Sequence, residues 1–232
     1  MRQIEILPPY EAKQFDCPPI FNYEERKSFF ILPSELLSII ASSNELNRIG
    51  IVLQYGYFKA TGKFYRSEKY QKDDVHHIAK LLNIKFTKDF FLAYSNSTKN
   101  NHKRIVLNLL GYELFSKYKE VFKESVLQLV SKQMHPRKML FALVDQLRIR
   151  KIEIPNYDTF ARYITEEFNT FENTQLKKLN SILTESQLKA LNQLTESDGT
   201  SYRRPMLIDL KNINQSVEPG KIKDSLRGLL II

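Results

Sequence analysis

Apolar residues recur along the chain mostly at three- and four-residue steps, the spacing of helices with one buried side. Leu32-Pro33-Ser34 opens a helix with proline in its first turn, Leu36, Leu37, Ile39 and Ile40 form its apolar side, and it should end near Asn44. A second helix is predicted over 45–58, with Ile49, Val52, Leu53, Tyr57 and Phe58 facing a core; a third over 73–82, with Val75, Ile78, Ala79 and Leu82 on one face; a short fourth over 88–94. A fifth, over 98–110, is closed by Gly111.

After Phe115 the pattern restarts. A helix over 117–133 turns Val121, Val126, Leu129 and Val130 to a core, and Pro136 starts another that carries Met139, Leu140, Leu143, Val144 and Leu147. A short extended piece, 152–155, follows. Asn156 can cap a long helix in which Phe160, Ile164, Phe168, Phe171, Leu179 and Ile182 hold an apolar stripe. Thr184 and Gln187 form a capping-box pair for a helix over 185–194. Residues 195–218 are expected as loop, with one extended piece near "PMLIDL". The expected fold is all-α: two small helical domains, 1–116 and 117–232, each with a helix-turn-helix-like arrangement.

Composition sharpens this. Seven glycines stand where average usage would give about 16, which suits helices. With 232 residues, 42% of them hydrophobic, the chain can bury a core. No apolar run approaches the ~18 residues of a membrane span, so no membrane partner is expected. The N-terminal "MRQIEILPPYEAKQF" lacks a secretory pattern, and a lone Cys17 suits a reducing compartment; both predict a cytoplasmic protein. The apolar ending "LRGLLII" suggests a fragment of a longer protein.

The net charge of +9 points toward a polyanion. Its distribution says more. Residues 1–115 carry 16 basic and 12 acidic side chains and residues 116–232 carry 19 and 14, so neither half is a basic tail. Positive charge gathers in stretches: 59–72 holds five bases and one acid, 90–112 three bases and no acid, 132–151 six bases and one acid.

Enzymatic motifs are not found. Gly62-Lys63 lacks the glycine five residues earlier and the Ser or Thr afterwards that a phosphate loop needs, since Tyr57 and Phe64 occupy those places. Gly50 and Gly56 are expected instead to allow close helix approach. His76 and His77 are adjacent on a helix and cannot share a metal, and Asp73-Asp74 suit a negative first turn. No nucleophile elbow exists. The chain is therefore expected to be no enzyme and to need no cofactor or metal.

Two stretches suit DNA. Lys59, Lys63, Arg66 and Lys69, interleaved with Tyr65 and Tyr70, are expected on an exposed loop where bases meet phosphates and rings stack; a solvated loop with inward rings is the plainer alternative. The fifth helix opens with Thr98, Lys99, Asn100, Asn101, His102, Lys103 and Arg104, then turns apolar at Ile105, Leu109 and Leu110. That is the build of a recognition helix, though an ordinary surface helix could share it. In the second half, Asn156, Tyr157, Thr159 and Arg162 open the long helix just after the "RIRK" ending of the preceding one.

The stretch "FFILPSELLSIIASSNELNRIGIVLQYGYFKATGKFY" resembles the N-terminal region of bacterial transposases of the Tn-three family. The likeness continues through Asn47, Ile49, Gly50, Gln54, Gly62, Lys63, Tyr94, Thr98, His102, Gly111, Tyr112, Phe115, Leu147, Ile152 and Pro155, and covers roughly residues 22–232. It implies binding of the transposon's terminal inverted repeats, nucleoid association, attachment to the rest of the transposase and a possible transposase dimer. It further implies that the acidic catalytic residues, and the Mg they would use, lie in a downstream domain outside this chain. Many relatives carry arginine where this sequence has Lys99 and Asn100; lysine binds phosphate but cannot form arginine's bidentate fork with guanine.

The combined expectation is sequence-specific binding of double-stranded DNA. Lys59, Lys63, Arg66, Lys99, Lys103, Arg104, Arg137, Lys138, Arg148, Arg150 and Lys151 would supply affinity through counterion release, and Asn100, Asn101, His102, Asn156, Tyr157 and Arg162 base or shape readout. The alternative is a protein-interaction or assembly domain of the transposase with weak DNA contact.

Overall fold

The computed structural model describes residues 4–85, 94–187 and 189, and within them the chain is all-α. Its helices are α1 (Pro9–Phe15), α2 (Tyr23–Phe29), α3 (Ser34–Ala41), α4 (Glu45–Thr61), α5 (Lys72–Leu81), α6 (Asn96–Leu110), α7 (Lys119–Ser131), α8 (Pro136–Ile149) and α9 (Tyr157–Ile182). No helix among the described residues is long and apolar enough to cross a membrane. The predicted helices over 34–44, 45–58, 73–82, 98–110, 117–133, 136–151 and from 157 are all present. The short α1 and α2 are additions the apolar period does not announce. The helix expected over 88–94 falls almost wholly outside the described residues, as do most of the one over 185–194 and everything after it.

Local chemistry sets the ends. Asn22 and Glu25 form a reciprocal capping box at the start of α2, and Asn44 accepts from the Asn47 N–H at 2.8 Å to start α4. Gly62, with φ +73°, and Gly111, with φ +67°, stop α4 and α6 in the left-handed conformation that suits glycine.

The chain divides into two compact units, Met1–Phe171 and Glu172–Ile232. In the second, the last turns of α9 expose Leu176, Leu179 and Ile182. The expected division at 116/117 falls inside the first unit, between two apolar cores. One core surrounds α4, which packs against α2, α3, α5 and α6 and buries every residue from Ile49 to Phe58. The other joins α7, α8 and the start of α9 through Phe122, Leu140, Leu143, Leu147, Phe160 and Ile164. Ile6 and Leu7 also fill this second core, so the N-terminal segment reaches across to it. The extended piece is real: Ile152 makes a parallel bridge with Glu113, and the Ile154 N–H donates to the Gly62 carbonyl at 2.9 Å.

Two sequence expectations change here and one gains a second role. Asp73 and Asp74 do lie in the first turn of α5, but Asp74 is also a core acid. It is fully buried and accepts from Arg26 Nε at 2.6 Å and from the Tyr57 hydroxyl at 2.7 Å, which satisfies a charge that would otherwise be costly inside. Burial, then Asp74, pushes the Tyr57 hydroxyl's pKa well above the ordinary range. Gly50 and Gly56 make room for rings rather than for a second helix backbone. A Cβ on Gly50 would stand 2.5 Å from the Tyr94 ring, and one on Gly56 2.1 Å from the Phe30 ring. The apolar stripe predicted for the whole of α9 buries Phe160 and Ile164, half-buries Phe168 and Phe171, and leaves Leu179 and Ile182 open.

Candidate nucleic-acid interface

The loop after α4 is the first test of the expected polar surfaces, and it is largely turned inward. Lys63 is only 6% exposed; its ammonium donates to the Phe15 carbonyl and to Asp16 Oδ1, and sits 3.5 Å from the Phe15 ring centroid. Burial pushes its pKa down to about 8, with Asp16 opposing that shift. Lys69 donates to the Asp16 carbonyl at 3.1 Å, and Gln71 to the Pro18 carbonyl at 3.3 Å. Tyr70 is buried and Tyr65 half-buried. Asp16 also accepts the Tyr157 N–H at the start of α9 at 3.1 Å, so this loop ties the N-terminal segment to both cores. Of the expected exposed set, Lys59, Arg66 and Lys69 are exposed, while Lys63 and Tyr70 are buried and Tyr65 is half-buried.

α6 behaves differently, and its placement follows from one polar cluster. Gln54, buried in α4, donates from Nε2 to the Tyr94 hydroxyl at 3.0 Å and to the Lys99 carbonyl at 3.3 Å. Tyr94 in turn lies 2.6 Å from His102 Nδ1. With its oxygen accepting from Gln54, the hydroxyl has its proton free for Nδ1, which assigns the imidazole proton to Nε2. His102 is 5% exposed, and burial pushes its pKa down to about 4, so it is neutral at neutral pH. Expected among the base-reading residues, His102 is instead part of the joint that seats α6 on α4. Gly50 leaves the slot for the Tyr94 ring. Gly50, Gln54, Tyr94 and His102, scattered in the sequence, thus meet at one place.

Beyond this joint, the N-terminal turns of α6 border two clefts. The first, about 560 Å3, is lined by Gln54, Phe64, Tyr65, Arg66, Glu68, Asn96, Lys99, Asn100, Lys103 and Asn156. It joins three stretches that the sequence shows separately: the loop after α4, the start of α6 and the cap of α9. Acids temper its charge, with Glu68 3.8 Å from the Lys99 ammonium and Glu153 paired with Lys103. Glu68 is largely exposed, so its hold on Lys99 is a surface pair worth at most about 1 kcal/mol. The second cleft, about 650 Å3, lies toward the α3–α4 turn and is lined by Ser42, Ser43, Asn47, Ser97, Thr98, Asn100, Asn101 and Arg104, with Ile39, His102 and Ile105.

The remaining expected residues line neither cleft. Lys59 donates to the Ser28 carbonyl at 3.0 Å, and Arg137 pairs with Glu11 at 2.8 Å. Lys138, Arg148, Arg150, Lys151 and Arg162 are exposed on α8, at its end, or on α9. The Tyr157 hydroxyl is occupied by the Leu7 N–H at 3.2 Å. Asn156 accepts from the Thr159 N–H at 3.2 Å, as a cap should, and still lines the first cleft. Sequence reasoning missed Asn96, Ser97, Ser42 and Ser43. The hydroxyl of Ser95, accepting from the Thr98 N–H, starts α6 two residues earlier than predicted and is the signal that could have brought Asn96 and Ser97 in.

Among the described residues no group of three or more His, Cys, Asp or Glu is placed to hold a metal ion. The sequence pattern of a protein family described as "Domain of unknown function (DUF4158)" matches residues 6–166. No curated protein matches the chain.

Proposed function

The chain belongs to the DUF4158 family, a domain commonly found at the N-terminus of Tn-three family transposases, and from that premise we propose that it binds double-stranded DNA at transposon ends. The observation that carries this reading is the first cleft: Arg66, Lys99 and Lys103 share one concavity with the amides of Asn96, Asn100 and Asn156. Cations for phosphates beside amides for base edges are the two contact types that sequence-specific DNA binding combines. In this reading the chain does no chemistry and takes no cofactor of its own; a downstream domain would supply both. Bacterial, nucleoid-associated localisation and possible dimerisation follow from the same reading.

The test is selection of binding sites by the purified chain from a randomised duplex pool, followed by anisotropy titrations of the enriched duplex and a scrambled one at several salt concentrations. Enrichment of a sequence that recurs at the ends of the element carrying this gene is expected, with log affinity falling by about 0.9 per phosphate contact for each decade of salt. A pool that never enriches overturns the proposal. A second reading, an assembly surface for transposase subunits, is favoured by the exposed Leu176, Leu179 and Ile182 on α9. It predicts self-association without sequence preference on DNA.

A further inference from the structure

The two clefts share one lining residue, Asn100, because the first two turns of α6 stand between them. At 100° per residue, Ser97, Asn100, Asn101 and Arg104 fall along the outer crest, Asn96, Lys99 and Lys103 along one flank, and Thr98 and Ile105 along the other. Exposure agrees: the four crest residues are exposed, while Lys99, Lys103, Thr98 and Ile105 are half-buried on the flanks. His102 and Val106 point back into the protein. We propose that this ridge enters the major groove of a DNA duplex that straddles it, one strand's phosphodiester backbone in each cleft, with Asn100 at the crest against base edges. The proposal rests on the DNA-binding reading above and adds the orientation of the duplex, the unequal grip on its two strands and the residue that reads it.

The dimensions match. A helix with side chains is about 10–12 Å across and the major groove about 12 Å wide, so a helix that fills the groove leaves the two bordering backbones at its flanks. The flanks differ in chemistry. Arg66 and Lys99 hold one strand by charge, beside Lys103, whose ammonium is paired with Glu153. Asn47 and Ser97 offer the other strand neutral donors, and the hydroxyls of Ser42 and Ser43, which donate to the Ile39 carbonyl at 3.1 Å, can rotate to a phosphate instead, with Arg104 the one cation. Gln54, 5% exposed, closes the cationic cleft from the side of α4 and, through Tyr94 and the Lys99 carbonyl, fixes how the ridge stands above it. Asn100 at the crest suits adenine, whose N7 and N6 it can meet with two hydrogen bonds.

The test is phosphate-ethylation interference with the full chain on the duplex enriched from the random pool, on each strand separately, with Arg66→Gln/Lys99→Gln, Ser42→Ala/Ser43→Ala, Asn100→Ala and Glu68→Gln variants. All these side chains are half-buried or exposed, and circular dichroism confirms each variant's fold. Two interference tracts on opposite strands, facing each other across one major-groove segment, are expected. Arg66→Gln/Lys99→Gln should erase one tract and lower the salt slope by about two units, and Ser42→Ala/Ser43→Ala should weaken the other with the slope unchanged. Asn100→Ala should cut the preference for enriched over scrambled duplex by between about 5-fold and about 150-fold. Glu68→Gln should tighten binding to both duplexes. Interference on one strand only, or two tracts that both respond to the Arg66/Lys99 change alone, overturns the straddled arrangement while leaving DNA binding standing. Failure to bind the duplex removes both.

Discussion

The loop after α4 and the first turns of α6 look alike in sequence, each a run of lysine or arginine among polar and aromatic residues, yet the fold uses them in opposite ways. In the loop, Lys63 and Lys69 spend their ammonium groups on the carbonyls of Phe15 and Asp16, and Tyr70 is buried. On α6, the inward positions are taken by His102 and Val106, and the amides of Asn100 and Asn101 face out. The difference teaches that a count of bases marks a region without saying which of them meet solvent. A lysine's long apolar stem lets it act as an internal strut, and in Lys63 it does.

Changes on the loop side should cost stability and those on the α6 crest should cost binding. Lys63→Ala should have the largest effect, about 3 kcal/mol of unfolding free energy by urea titration, because it leaves the 26% exposed Asp16 carboxylate with the Tyr157 N–H but no charge partner, frees the Phe15 carbonyl and opens the contact with the Phe15 ring. A Lys63→Ala protein of unchanged stability but lost DNA affinity would reverse the comparison. Gly50→Ala comes next, at about 1–3 kcal/mol, since its Cβ must displace the buried Tyr94 ring and disturb the seat of α6. Its melting temperature should fall while Ala60→Ser, elsewhere on α4, stays near wild type.

Acid offers a third probe. The pKa of His102 is held at about 4 in the fold against an ordinary 6.5, so between those values the unfolded chain binds a proton that the folded chain refuses. Stability should therefore fall as pH drops from about 6.5 toward about 4, by on the order of 1.4 kcal/mol per pH unit from this residue. His102→Gln should flatten that slope relative to wild type in melts across the range, whatever its stability at neutral pH. An unchanged slope would mean that His102 is not buried neutral. The smallest stability effect belongs to the cleft: Arg66→Gln and Lys99→Gln should each stay within about 0.5 kcal/mol of wild type. A larger loss in thermal melts would make these side chains structural, as Lys63 is.

Much of the fold was legible because helix starts and stops are local events. Pro136 and Asn156 begin helices where predicted, the helix predicted from 45 starts there, and Gly111 ends one. The short α1 and α2 were missed since seven residues hold too few turns to show a period, and α2 depends on the Asn22–Glu25 box. Of the candidate site, the importance of the start of α6 could be read from its polar run, but the partition of that run into core, flank and crest could not be read until α6 had a neighbour.

By itself, the sequence determined an all-α chain, its principal helix boundaries and the presence of positive charge in separated stretches, because periodicity, caps and composition act within a few residues of one another. Tertiary structure alone decided that Asp74 and Lys63 are interior, that Gly50, Gln54, Tyr94 and His102 form one joint, and that Arg66, Lys99 and Asn156 share a cleft. Most of these join residues far apart in sequence, as Gln54 and Tyr94, 40 residues apart. They depend on how α4 is surrounded, and desolvation, which moves the pKa of Lys63 and His102, exists only once that surrounding is complete.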